Sequence, residues 1–321
     1  MLLRKEDEAF MGRWDFDDEA RSPDPVISRQ PERSDAVRED HKPEIRPLPE
    51  RAEDRPRHGR GRGRDHDLTL PGEQDRELVR HDGRDYHLRG SEVDLLERAA
   101  RFRVVFKADL QSESTDPARF REDLRSLQHQ DLIDERTVTR LGDGHVANVV
   151  SVTRAGQALL DQHRHPDRDG GQIYYGGWVK PAEVWHDASL YRMVREVEKD
   201  LDQEHGRIRR VVLDDELKAE AFRALHDLRH DGKSDTDAHQ AVADAHHLPL
   251  ADAHFVFPDV RLEVEYPDGT VRALDLELVT EHYHRGHLGG KASAGFRMFG
   301  GRSSSRRGGT PHDPRVIGNL L

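Results

Sequence analysis

The sequence predicts an α+β chain: a disordered N-terminal arm followed by two folded parts. Three observations carry that prediction. Charged residues make up 36% of the chain and apolar residues only 34%, against roughly 25% charged in ordinary globular chains, so a sizeable part must stay solvated. Residues 1–75 hold no sustained period of 3.6 or 2 and are dominated by Pro, Arg, Asp and Glu. From residue 76 onward helical and strand periods alternate, ending in a hairpin with acidic residues gathered on one face.

At 321 residues the chain has room for about two domains. It has no cysteine, which removes disulfides, thiolate metal sites and cysteine nucleophiles together. The start, MLLRKEDEAF, lacks a signal-peptide core, and no apolar run approaches the ~20 residues of a membrane span. These features lead us to expect a cytoplasmic protein with no membrane partner. The net charge of −12 argues against a uniformly basic nucleic-acid binder, but phosphate contact is made by local patches. The 21 histidines are scattered and read mainly as surface residues.

In order, the arm of residues 1–75 contains an arginine-glycine tract, Arg55 to Arg64, which fits either phosphate contact without base readout or a solvated linker. The first folded part spans 76–164. Leu78 to Leu88 reads as a small hairpin with His81-Asp82-Gly83-Arg84 as its turn. Ser91, with Asp94 three residues on, reads as the cap of a helix burying Val93, Leu96 and Ala100. Phe102 to Phe106 is a strand-like run, and Lys107 to Leu110 a helical turn. Asp116-Pro117 opens a helix with Phe120, Leu124 and Leu127 inward. Leu132–Leu141 and Val146–Val152 form a second hairpin about Gly142-Asp143-Gly144, and Thr153 caps the next helix.

Residues 165–172 read as a linker. The second part, 173–299, starts with an aromatic stretch, then a helix opened by Pro181, a strand at Arg207–Leu213 and a helix at Asp215–Leu228. His230–His247 reads as helix or loop. Val260, Leu262, Val264 and Tyr266 then alternate with Arg261, Glu263 and Glu265, Asp268-Gly269 turns the chain, and Asp275 and Glu277 share a face of the return strand. Residues 300–321 read as a basic flexible tail.

The helix, helix, hairpin, helix order of 86–164, with Leu-Ile-Asp-Glu, Gly-Asp-Gly and Ser-Val-Thr-Arg-Ala-Gly-Gln-Ala-Leu-Leu, resembles winged-helix DNA-binding domains. That resemblance implies a recognition helix from Pro117 to Gln130, with Arg119, Arg121 and Arg125 toward DNA and Arg136 and Arg140 in the wing. The same arginines also suit a role as solvated partners of Glu122, Asp123 and Glu135, and winged helices bind proteins as well as DNA.

Phe257-Pro258-Asp259, Leu274-Asp275-Leu276-Glu277-Leu278 and Lys291 together resemble the restriction-endonuclease-like (PD-(D/E)XK) superfamily. With the winged helix in front and His186-Asp187 on a helix, the chain is similar to the replication-relaxation family of plasmid and conjugative-element proteins. The expected fold is therefore a winged helix followed by a restriction-endonuclease-like α/β domain. The resemblance implies Asp259, Glu277 and Lys291 as catalytic residues. It implies Asp259, Asp275 and Glu277 as ligands of Mg²⁺ if the domain is catalytic. Val279 stands where nuclease members carry lysine, and valine can neither bind metal nor act on water.

The expected function is thus a non-catalytic DNA-binding accessory factor in plasmid replication or conjugative mobilisation, with relaxase or replication proteins as possible partners. The alternatives are a Mg²⁺-dependent nuclease or nickase and a winged-helix transcriptional regulator. His282, His284 and His287 beside Glu281 read either as a histidine-rich surface loop or as a metal site.

Overall fold

The computed structural model describes residues 46–47, 68–140, 142–164, 171–279, 294–301 and 314–316, all within one compact unit. The fold is mixed α+β, with seven helices and four sheets among these residues. The arginine-glycine tract, Lys291, the histidines at 282, 284 and 287, and most of the basic tail lie outside the described residues.

After the two-residue strand β1 (Arg46–Pro47), the core takes up the chain at Leu68, earlier than the residue 76 expected. Leu68 and Leu70 are buried, so the arm is shorter than 1–75 suggests. Two apolar side chains in a polar stretch are too few to produce a period, yet enough to dock it. Strands β2 (Glu77–His81) and β3 (Arg84–Leu88) pair across Asp82-Gly83, whose φ values of 48° and 73° are the left-handed pair a two-residue hairpin turn needs.

Helix α1 (Gly90–Ala100) starts one residue before Ser91, and the cap is Arg89. The Arg89 N–H donates to Glu92 Oε2 at 3.1 Å, while Arg76 donates to the same buried carboxylate at 2.7 Å. Glu92 thus serves the helix end and neutralises Arg76, which Asp94 does not. Glycine is required at 90, because a Cβ there would lie 2.3 Å from the Gly72 carbonyl oxygen.

Strand β4 (Val105–Phe106), helix α2 (Lys107–Ser112) and helix α3 (Pro117–His129) follow. The Asp116 carboxylate accepts from the Ala118 N–H at 2.8 Å, as the Asp-Pro signal predicts. Strands β5 (Ile133–Thr139) and β6 (Val146–Val152) pair in full register, and β4 adds to β6 to give the order β4-β6-β5. Helix α4 (Arg154–Gln162) is capped by Thr153, whose Oγ1 accepts from the Gly156 N–H.

The second half opens with helix α5 (Val184–Gln203), preceded by a turn at Pro181. Strand β7 (Arg207–Leu213) leads into α6 (Asp214–His230) and α7 (Asp235–His246), so the ambiguous Asp/His-rich stretch is helical. A two-residue pair, β8 (Leu250–Ala251) with β9 (His254–Phe255), precedes the hairpin of β10 (Val260–Glu265) and β11 (Val271–Val279). Strand β12 (Arg297–Gly301) runs parallel to β11, and β13 (Pro314–Val316) completes the order β13-β12-β11-β10-β7. Strand β1 lies against the first half of β11.

The two halves share one apolar core, which runs from Leu68 through Phe102 and Tyr191 to Leu276 and Phe299. Helix α5 serves both halves. Its Tyr191 ring meets Phe102 edge-on at 5.1 Å, while Leu190, Val194 and Val197 join the cluster formed by Val260, Leu262, Leu274 and Leu276. Gln172 to Gly177, at the end of the expected linker, is embedded. Gln172 bonds the backbone of Val211 twice at 2.8 Å, Tyr175 N–H donates to Ala100 at 2.7 Å, and Gly177 N–H donates to Val152 at 2.8 Å.

The start of the core is held to the end of α4. The Thr69 N–H donates to the His163 carbonyl at 2.8 Å, and Thr69 Oγ1 lies 3.2 Å from His163 Nδ1. Burial, and then the neighbouring His81 imidazole, hold the His163 pKa below the usual histidine value. The fold therefore favours neutral His163: this contribution is complete above about pH 6.5 and declines as pH falls below it. Urea midpoints at about pH 5 and about pH 7.5 should differ less in His163→Gln than in the wild type; parallel shifts would refute this.

Candidate functional site

The β10-β11 register pairs Val260 with Leu276 and Arg261 with Asp275, which brings Asp259 beside Glu277 at one end of the sheet. Backbone and side chain lock the two together. The Asp259 N–H donates to Glu277 Oε2 at 3.3 Å, and the Leu278 N–H donates to Asp259 Oδ2 at 2.8 Å. Glu277 is fully buried.

The first turn of α5 faces this pair. His186 Nε2 lies 3.6 Å from Asp259 Oδ2, and its Nδ1 lies 3.2 Å from Asp187 Oδ1. Burial opposes charge on this imidazole, but hydrogen bonds to Asp187 and Asp259 outweigh it and raise its pKa to about 10. Arg103 continues the network, reaching Asp187 at 3.1 Å, Asp214 at 2.6 Å and Asp215 at 2.9 Å. Carboxylates from α5, α6 and the β10 approach thus meet one histidine and one arginine.

Asp275 belongs to a different arrangement. Both its oxygens are held by Arg261, at 2.6 and 2.8 Å, and both residues are largely buried. The same guanidinium donates to the carbonyls of His246 and His247, where α7 ends. Asp275 therefore aims an arginine at a helix terminus and is not available as a third ligand with Asp259 and Glu277. No group of three His, Asp or Glu side chains among the described residues is arranged to hold a metal ion. The expected carboxylate trio does not fit a Mg²⁺ site as a set, and Lys291 lies outside the described residues. Sequence reasoning passed over Arg261, although counting back from the Asp268-Gly269 turn places it opposite Asp275.

The basic candidates fall into two groups. On α3, Arg121 and Arg125 are exposed, and among the described residues the Arg125 guanidinium donates to the Arg121 carbonyl, at 3.1 Å. The acids of the same helix turn elsewhere. Asp123 is buried and accepts from Arg89, and Glu122 lies 3.3 Å from Arg89 and 3.5 Å from Arg76. Arg119 also leans away, reaching the Gln74 carbonyl at 3.3 Å and lying 3.7 Å from Asp123. In the β5-β6 hairpin, Arg136 is exposed, stacked 4.2 Å over the Trp178 ring and 3.4 Å from Asp134. Arg140 pairs with Asp143 at 2.9 Å and lies 5.1 Å over Trp185.

No helix among the described residues is long and apolar enough to cross a membrane. No family model, curated protein or solved structure matches the chain.

The Arg261–Asp275 pair yields a stability prediction. Arg261→Ala leaves a largely buried carboxylate and two helix-end carbonyls without their donor, so it should cost about 3–5 kcal/mol in urea denaturation. A loss under about 1 kcal/mol would show that water replaces the guanidinium freely.

Proposed function

We propose that the protein is a DNA-binding accessory factor that uses a winged helix and carries a nuclease-like, non-catalytic second half. The order α1-β4-α2-α3-β5-β6, with a three-stranded sheet beside three helices, supports the winged-helix reading. The observation that carries DNA binding is the sorting of charge on α3: its acids engage Arg76 and Arg89, leaving Arg121 and Arg125 outward. Two outward cations on the helix before a hairpin, with Arg136 and Arg140 on that hairpin, suit phosphate and groove contacts. A mixed sheet with helices packed on it, and Asp259 and Glu277 together at its end, supports the nuclease-like reading.

Two facts favour the non-catalytic version. Asp275 is committed to Arg261, and Val279 occupies the position of the nuclease lysine. With the resemblance to the replication-relaxation family, this reading points to work in plasmid replication or conjugative mobilisation, beside relaxase or replication proteins. The alternative, a Mg²⁺-dependent nuclease, is favoured by one observation, the contiguity of Asp259 and Glu277.

Duplex affinity measured against salt tests the first reading. Arg121→Ala combined with Arg125→Ala should weaken binding and lower the slope of log K against log salt by about 2, the loss of roughly two phosphate contacts. Unchanged affinity and slope would remove α3 from the interface. Supercoiled and linear DNA with Mg²⁺ or Mn²⁺ tests the alternative: we expect no cleavage, and nicking that disappears in both Asp259→Ala and Glu277→Ala would overturn the non-catalytic reading.

A further inference from the structure

A cavity of about 410 Å³ opens where α2, β6 and α5 meet, within the usual size range for small-ligand sites. Two aromatic rings form its wall, Phe106 and Trp185, with centroids 5.1 Å apart and planes inclined by 53°. The His145 ring lies 5.5 Å from Trp185. The polar lining is of two kinds. Lys107 and Arg192 are each matched by a carboxylate: Lys107 bonds Glu135 at 2.8 Å, and Arg192 bonds Asp109 at 2.8 Å. Gln111 and Asn148 are neutral amides. Asn148 uses its oxygen to accept from Thr137 at 2.9 Å, which leaves its NH₂ group as a donor. Trp185 adds an enclosed indole N–H with no hydrogen-bond partner among the described residues.

These features sort among ligands. Matched cations leave little net charge for a free phosphate, while planar aromatic surface beside neutral donors and acceptors suits a flat heterocycle with polar edges. The cavity also adjoins the hairpin proposed to lie on DNA. Arg140 of that hairpin lies over the Trp185 ring, and the Arg140 N–H donates to the His145 carbonyl at 2.7 Å.

We infer that this cavity takes one unpaired nucleobase of the bound DNA, set against the half-buried Trp185 ring, which Phe106 backs, and hydrogen-bonded at its edge by Asn148 and Gln111. The inference rests on the DNA-binding reading. It makes the preferred substrate a duplex carrying a bulged or extruded base, since such a base has already lost its stacking and pairing.

The test compares the full chain on a fully paired duplex and on the same duplex with a single bulged 2-aminopurine. The bulged duplex should bind about tenfold tighter, the low to middle range for one base stacked on aromatic side chains, with a change in 2-aminopurine emission. Trp185→Ala and the milder, exposed Asn148→Ala should each bring the ratio of bulged- to paired-duplex affinity toward one. Equal affinity for both duplexes, with paired binding intact, overturns this inference alone. If neither duplex binds, the proposed function falls, and the cavity is judged by adenosine monophosphate quenching of tryptophan emission. Quenching lost in Trp185→Phe supports a base site, and no quenching in the wild type overturns it.

Discussion

The short segment from Gln172 to Gly177 is the constraint on which the rest of the molecule depends. A buried backbone must find partners for its N–H and C=O groups. This one finds them in α1 through the Tyr175 N–H and in β6 through the Gly177 N–H, while the Gln172 side-chain amide bonds the Val211 backbone of β7 twice. Those bonds fix the start of α5 against both halves, so the helix can put Tyr191 on Phe102 and Val194 in the core beside Leu276. Both candidate surfaces inherit their placement from it. Helix α5 carries His186 to the acidic end of the large sheet and Trp185 to the cavity beside the hairpin.

Charge is the second organising quantity. An excess of ionised side chains usually marks solvated chain, but here many are drawn inward as pairs. Arg89 with Asp123, Arg261 with Asp275, and Arg210 with Glu216 all lie in the interior or at its edge. Such pairs add little net stability over apolar residues of the same size, and they penalise any register that separates them. In a chain with so few apolar residues, that penalty helps select one arrangement of the β10-β11 hairpin.

Elements whose instructions are local could be read directly. Asp116-Pro117, Thr153 and Asp268-Gly269 each bond within a few residues, and the structure uses all three as their chemistry predicts. Elements whose instructions are distant could not. The cap of α1 depends on Glu92 being shared with Arg76, sixteen positions away. Leu68 and Leu70 dock against a partner near His163, and Gln172 to Gly177 has no period because its bonds are to three remote strands and helices. Helix α7 was hidden by composition, its buried face being only Ala238, Val242 and Ala243 amid Asp and His. At the candidate site, alternation placed Asp275 and Glu277 on one face, and Asp259 was singled out through the Pro-Asp motif of the family resemblance. The division of labour that removes Asp275 needed the position of Arg261.

The pairing of Val260 with Leu213 sets the place of α6 and α7 in the architecture. Strands β7 and β10 are immediate neighbours, so everything from Asp214 to Asp259 leaves the sheet and returns to it at one point, closed by the Asp214 N–H on the Asp259 carbonyl at 3.2 Å. The helical pair is thus an excursion with its own small core of Ala221, Leu225, Ala238 and Val242, attached at a neck and again where Arg261 holds the end of α7. Its exposed surface can vary without disturbing the strand ladder, because the ladder closes beneath it. The acidic cluster stands at that neck, where Asp214 and Asp215 of the excursion and Asp259 beside the sheet join one network through Arg103, Asp187 and His186.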